Sequence, residues 1–158
     1  MENEHTYRAV AWWTSGRTGL AQSGSVLTAL HFTAPPQFGG LEGRWTPEDL
    51  LMTALASCFT TTFHAIASYS NFEYNDLEVE AEATVKKTDL GYVFREIVIR
   101  PSLTISDEEN RGRAIGLLNK AKALCLVSRA LATPQRFEIR IEVGKHSHQP
   151  SDGRLHVH

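Results

Sequence analysis

The run from Leu50 to Ser70, LLMTALASCFTTTFHAIASYS, contains no Asp, Glu, Lys or Arg. A charge-free segment of that length has to be covered, either by lipid or by protein. Its polar members, Thr53, Ser57, Thr60, Thr61, Thr62, His64 and Ser68, are too many for a lipid-facing span, so the run is expected to be a helix buried in protein. The start of that helix is well marked. Thr46 is placed as N-cap and Pro47 as the first helical residue, with Glu48 and Asp49 as acids in the first turn. The segment NFEYND ends it.

Around this helix the sequence alternates as strands do. YRAVAWW and SVLTALHF read as two strands around TSGRTG, followed by a Pro/Gly-rich loop, APPQFGGLEGRW, at 34–45. LEVEAEATV puts Leu77, Val79, Ala81, Ala83 and Val85 on one face and its glutamates on the other. VFREIVIRPSLTI alternates again through Ile97, Ile99, Leu103 and Ile105. SDEE at 106–109 matches a capping box and predicts a second helix, with Ile115, Leu118, Ala121, Lys122 and Cys125 on one face. RFEIRIEV is the last strand. The resulting order, β-β-α-β-β-α-β, predicts an α+β fold of antiparallel strands with the helices on one face. One sheet of about five strands covers only one side of so apolar a helix, and a homodimer is the expected way to cover the rest. A single domain is expected over 1–158, with its core at about 7–143 and a polar tail at 144–158.

Composition narrows the function. Hydrophobic residues make up 42% and charged residues 22%, an ordinary soluble balance, and the chain can build a core without a disulfide or metal staple. The net charge of −2 gives no basic field, so neither nucleic acid nor membrane is expected as a partner. MENEHTYRAV is acidic and lacks the apolar segment of a secretory signal, which predicts a cytoplasmic, reducing location. There, two cysteines are expected as free or redox-active thiols.

Those cysteines are Cys58, inside the charge-free helix, and Cys125, at the end of the second helix. Each has a plain reading as a small buried hydrophobe, because desolvation alone makes a thiol inert. A reactive Cys58 needs a charge brought from elsewhere, since it lies about three turns beyond the positive end of its helix dipole. Arg17, in the glycine-flanked SGRTG tip, and Arg44, just before the helix, are the two candidate cations, and Glu48 is the natural carboxylate to hold either one. Arg17 also reads as a solvated turn residue, and Glu48 as a simple dipole-complementing acid.

SGRTG, APPQFGG, TPEDLLMTALASCF and KALCLVSRAL together resemble the OsmC/Ohr family of thiol-dependent hydroperoxide reductases over about 7–143. The resemblance implies antiparallel sheets packed on two central helices, in an intertwined homodimer with active sites at the subunit interface. It implies Cys58 as the peroxidatic thiolate, Cys125 as the resolving thiol, and Arg17 held by Glu48 as activator. It implies organic hydroperoxides as substrates, a dihydrolipoyl-type dithiol as reductant, and no cofactor. Two features depart from the pattern. Leu126 stands where the family has Pro, which frees the chain beyond Cys125 and restores a backbone donor. Glu48 precedes Cys58 by ten residues, about 15 Å along a straight helix, so the two meet only if the helix bends or a second copy contributes. In this reading the charge-free helix supplies a dry pocket for a greasy peroxide. Phe59, Phe63, Trp12, Trp13, Phe38 and Trp45 are candidates to line it or to pack the core.

Two rivals remain. Cys58, His64 and Cys125 are zinc-compatible ligand types, but Cys58 and His64 are six apart on different helical faces, and no C-x-x-C pair exists for zinc or for thioredoxin-like chemistry. His146, His148, His156 and His158 of the tail are further adventitious ligands. A non-enzymatic carrier of small apolar ligands would use the same pocket with inert thiols.

Overall fold

A computed structural model describes residues 4–144. The tail histidines therefore lie outside the described residues. The described chain forms two compact units, one running to Thr53 and one starting at Ala54, within the span read as one domain.

The first unit holds β1 (Ala9–Ser15), β2 (Thr18–Ser23) and β3 (Leu30–Phe32), which form an antiparallel sheet in that order. This corrects the two-strand reading. The second strand is TGLAQS, directly after the turn, and only LHF of SVLTALHF pairs as a strand. Gly19 makes that pairing possible, because a Cβ there would lie 2.5 Å from the Phe32 ring and 2.8 Å from the Trp12 carbonyl oxygen. Thr33 fastens the loop that follows: its buried Oγ1 donates to the Arg17 carbonyl (2.7 Å) and accepts the Leu41 N–H (3.1 Å).

Helix α1 (Pro47–Tyr69) crosses from one unit to the next. Its N-terminus is capped as expected. Thr46 Oγ1 accepts the Asp49 N–H at 3.1 Å, and Asp49 Oδ2 in turn accepts from the Thr46 N–H and hydroxyl. By length and composition α1 is long and apolar enough to cross a membrane, yet only 22% of that window is buried inside the chain. The expectation of a fully buried helix is therefore not met by one copy. The covered part is a single stripe at four-residue spacing, Leu55, Phe59, Phe63 and Ala67. The uncovered hydroxyls are satisfied by the helix itself: Ser57, Thr60 and Thr61 donate back to the carbonyls of Ala54, Ala56 and Ser57.

In the second unit, β4 (Asp76–Thr88) and β5 (Gly91–Ile105) form a long antiparallel hairpin whose turn needs Gly91 at φ 111°. The alternation read in both strands holds. Helix α2 (Arg111–Leu124) follows a single 3-10 turn at Glu108–Asn110, so the expected capping box does not form. Ser106 Oγ is engaged elsewhere, donating to Asn75 Oδ1 at 3.1 Å. A short helix α3 (Leu126–Ala130) follows α2, and RFEIRIEV is two strands, β6 (Gln135–Phe137) and β7 (Arg140–Val143). Both pair parallel to β5, so the second sheet is mixed rather than antiparallel. The break between them lies opposite Arg100–Pro101, where Pro101 has no N–H to give to a ladder. Ile97, Ile99, Leu103 and Ile105 of β5 form the core with the α1 stripe and with Ala114, Leu118, Ala121 and Cys125. Ile115, placed on that face from the sequence, is 39% exposed, and Ala114 takes its position.

Candidate active site

The local sequence fixes where each thiol sits. Cys58 directly precedes Phe59 of the buried α1 stripe and is half-buried. Cys125 is wholly buried at the end of α2, where its backbone (φ −58°, ψ 113°) leaves the helix before α3 begins. Both are free thiols. Packing α1 beside the α2–α3 break brings them into side-chain hydrogen-bonding contact.

The two thiols are not equivalent. Burial pushes the Cys58 thiol up, but four donors together outweigh it: the Val127 backbone N–H, the Cys125 thiol, the Leu126 N–H and the Thr62 hydroxyl. The result holds Cys58 below the ordinary thiol range. Cys125 moves the other way. Burial raises it, donation to Cys58 and the negative charge there raise it further, and the Ser128 and Val127 N–H groups only partly compensate. The pair is therefore polarised, with Cys58 ionising more readily than Cys125 and accepting a hydrogen bond from it. The sequence left both thiols open to an inert reading; the packing separates them.

None of the four donors to Cys58 is a cation, and all come from its own unit. Thr62 is legible in hindsight, since it lies four residues on from Cys58 on the same helical face. The Leu126 and Val127 amides have no side-chain signature. Beyond them, Ser128 is buried and holds α3 in place: its hydroxyl accepts from Lys122 Nζ (2.9 Å) and donates to Gln135 Oε1 (2.5 Å), while Gln135 Nε2 returns to the Ser128 carbonyl (2.8 Å).

Arg17 and Glu48 lie in the first unit. Arg17 is exposed, its guanidinium donating to the Gly39 carbonyl at 3.3 Å. That carbonyl belongs to the Pro/Gly loop, where Gly39 is left-handed (φ 83°) and a Cβ on Gly40 would fall 1.5 Å from the Ala34 oxygen. Arg17 and Glu48 make no ion pair with each other in the described chain, and Glu48 Oε2 is buried without a hydrogen-bond partner. Arg44 is exposed. Of the aromatic residues considered for a pocket, Phe59 and Phe63 are fully buried core, packed on the Phe137 and Tyr74 rings. Trp12, Trp13, Phe38 and Trp45 are 42–57% exposed on the first unit. His64 bonds Tyr74 Oη through Nδ1 (2.8 Å), and among the described residues no His, Cys, Asp and Glu side chains group as a metal site.

The family model for OsmC-like proteins matches residues 40–140, a span that contains α1, both cysteines and the β4–β5 hairpin. The chain belongs to the OsmC-like protein family. It is 28% identical over 145 residues to the uncharacterised protein YmaD of Bacillus subtilis, covering 89% of this chain and 95% of that one. It is 24% identical over 116 residues to the peroxiredoxin OsmC of Escherichia coli, covering 73% and 80%. Its fold is similar to that of an organic hydroperoxide resistance protein OsmC from Legionella pneumophila, with a TM-score of 0.71, 23% identity, and 88% and 98% of the two chains covered. An OsmC-like protein of unknown function from Vibrio cholerae superposes with a TM-score of 0.76 at 17% identity, covering 86% and 99%. The OsmC-like fold expected from the motifs is thus the fold observed.

Proposed function

We propose that the protein is a thiol peroxidase that reduces organic hydroperoxides to alcohols. The observation that carries this reading is the polarised Cys58–Cys125 pair, a lowered thiol accepting a hydrogen bond from a raised one. The Cys58 thiolate attacks the peroxide oxygen, the O–O bond breaks, and the alkoxide leaves as alcohol after taking a proton. The Cys58 sulfenic acid then condenses with Cys125, releasing water and forming a disulfide. A dithiol, of the dihydrolipoyl type, reduces that bridge by exchange. The peroxiredoxin name of the E. coli relative and the hydroperoxide-resistance name of the Legionella structure support this reaction class.

The working unit in this reading is a cytoplasmic homodimer. The α1 face left uncovered by one copy, with Ala54, Ser57, Thr61, Ala65 and Ser68, is small and internally hydrogen-bonded, which suits close approach of a second copy. The dimer also provides for Arg17 and Glu48. Ten residues of unbroken helix separate Glu48 from Cys58 on one chain, so the second copy brings the arginine and its carboxylate to each thiolate. Glu48 Oε2, buried and unpartnered, is the acceptor that such an arginine would fill.

The test is steady-state consumption of cumene hydroperoxide with dihydrolipoamide as reductant, for wild type and Cys58→Ser. Turnover by the wild type alone supports the proposal. No turnover by the wild type, or equal turnover by both, rejects it.

A further inference from the structure

We propose that Gln135 is a positioning residue for disulfide formation, because strand β6 holds the turn that carries Cys125 through Gln135 and the turn that carries Cys58 through Phe137. This rests on the peroxidase reading only for the use to which the bridge is put.

Strand β6 is short but firmly placed. Gln135 and Phe137 lie opposite Ile97 and Ile99 of β5, which are both wholly buried. The Ile97 N–H donates to the Pro134 carbonyl at 2.9 Å, and the Glu138 N–H donates to the Ile99 carbonyl at 3.0 Å, so the strand is tied at both ends. Side chains two apart on a strand share a face. Gln135 and Phe137 are accordingly half-buried on the helix side, while Arg136 between them is exposed and pairs with Glu96 and Glu138.

Each inward side chain holds the element of one cysteine. The Phe137 ring lies 5.6 Å from the ring of Phe59, the residue after Cys58. Gln135 holds the other element through hydrogen bonds. The end of a helix leaves carbonyls to be satisfied from outside. Gln135 Nε2 does this for α3, donating to the carbonyls of Ser128 at 2.8 Å and Leu131 at 3.4 Å. Its Oε1 accepts from the buried Ser128 hydroxyl at 2.5 Å, and that hydroxyl accepts from Lys122 Nζ at 2.9 Å. Lys122 and Ser128 stand three residues before and three after Cys125, so their contact closes the bend at Cys125 from both sides. Opening that bend would leave buried polar groups unpaired, and the bend is held for that reason.

A disulfide forms only over a narrow range of separation and direction. With both thiol-bearing turns fixed to one strand, little motion remains to be frozen on bridging, and the equilibrium favours the bridge. In the peroxidase cycle the same placement speeds the step in which the Cys58 S–OH and the Cys125 S–H become an S–S bond and water, before a second hydroperoxide reaches the sulfenic acid.

The experiment needs no hydroperoxide. Reduced protein is equilibrated in glutathione redox buffers, where the two protein thiols give two electrons and two protons to one oxidised glutathione, yielding the bridge and two reduced glutathiones. The bridged fraction is read by intact and peptide mass spectrometry after acid quenching. Gln135→Met, similar in size but without the amide, is expected to lower the equilibrium constant about tenfold, a potential about 30 mV more oxidising. Ser128→Ala removes the same contact from the α3 side and is expected to shift the curve in the same direction. Arg136→Gln, on the outer face of the same strand, is expected to titrate with wild type. A wild type that forms no Cys58–Cys125 bridge overturns the proposal. So does a Gln135→Met curve that overlays wild type, or, should that variant not fold, a Ser128→Ala curve that does. An Arg136→Gln curve displaced as far as that of Gln135→Met overturns it too, since strand stability alone would then explain the shift. Curves ordered as expected in a protein that consumes no hydroperoxide reject the peroxidase reading and leave this one standing.

Discussion

Cys125 donates a hydrogen bond to Cys58, a contact that acts with burial and the neighbouring backbone donors to leave Cys58 lowered and Cys125 raised. The signs of their pH dependence follow. Cys58 ionises more readily folded than unfolded, where a thiol titrates near about 8.5, so its stabilising effect is present above that value and lost as pH falls through the folded midpoint. Cys125 is raised, so its contribution is present below about 8.5 and lost as pH rises through its own folded midpoint. At neutral pH, Cys58 is expected to alkylate first and Cys125 to stay protected. Thr62→Val, which removes one of the donors, moves the Cys58 midpoint upwards. Faster alkylation of Cys125 than of Cys58 in the native protein would contradict the assignment of roles.

Arg17 is the cation the reaction is expected to use in addition to these donors. Arg17→Ala should raise the Cys58 midpoint towards the free value of about 8.5 and slow both alkylation and peroxide turnover. Arg44→Ala should do neither. The reverse pattern in the alkylation profiles would assign the role to Arg44.

Thr46 ties the start of α1 through its own hydroxyl and the Asp49 carboxylate. Thr46→Ala should cost about 1 kcal/mol of stability, the usual value of a lost N-cap, read from urea unfolding at matched protein concentration. An unchanged midpoint would show that the start of this helix is held by other contacts.

Hydrogen peroxide offers no apolar surface to bury, whereas cumene hydroperoxide does. Burial of even about 100 Å² at about 25 cal/mol per Å² is worth more than tenfold in specificity constant. The ratio of kcat/KM for the two peroxides is therefore expected to exceed about ten. Equal values would remove the basis for an organic-hydroperoxide preference.

The sequence showed much of this fold because its signals were local. The Thr46 N-cap and the alternation of β4 and β5 depend on neighbours in the chain, and both appear as read, while the return bonds from Thr46 to the Asp49 carboxylate are added by the structure. What it hid depended on distant partners. Ser106 looks like a helix cap until Asn75 takes its hydroxyl. RFEIRIEV looks continuous until it is laid beside Pro101 of β5. The site divides in the same way. Cys58 and Cys125 are visible as residues, but the backbone amides of Val127 and Leu126 that help lower Cys58, and the burial that raises Cys125, are advertised by no residue type. A cation was expected as the sole activator because only charged side chains can be seen in a sequence.

The central claim is that Cys58 is oxidised first and Cys125 resolves it. The most direct measurement is intact and peptide mass spectrometry of the reduced protein after one equivalent of cumene hydroperoxide. The predicted result is the loss of two hydrogens, an intramolecular Cys58–Cys125 disulfide, and, in Cys125→Ser under excess peroxide, sulfinic acid at Cys58. Wild type that gains two oxygens at Cys58 without forming the bridge would contradict the resolving role of Cys125, and wild type that leaves Cys58 unoxidised would contradict the account as a whole.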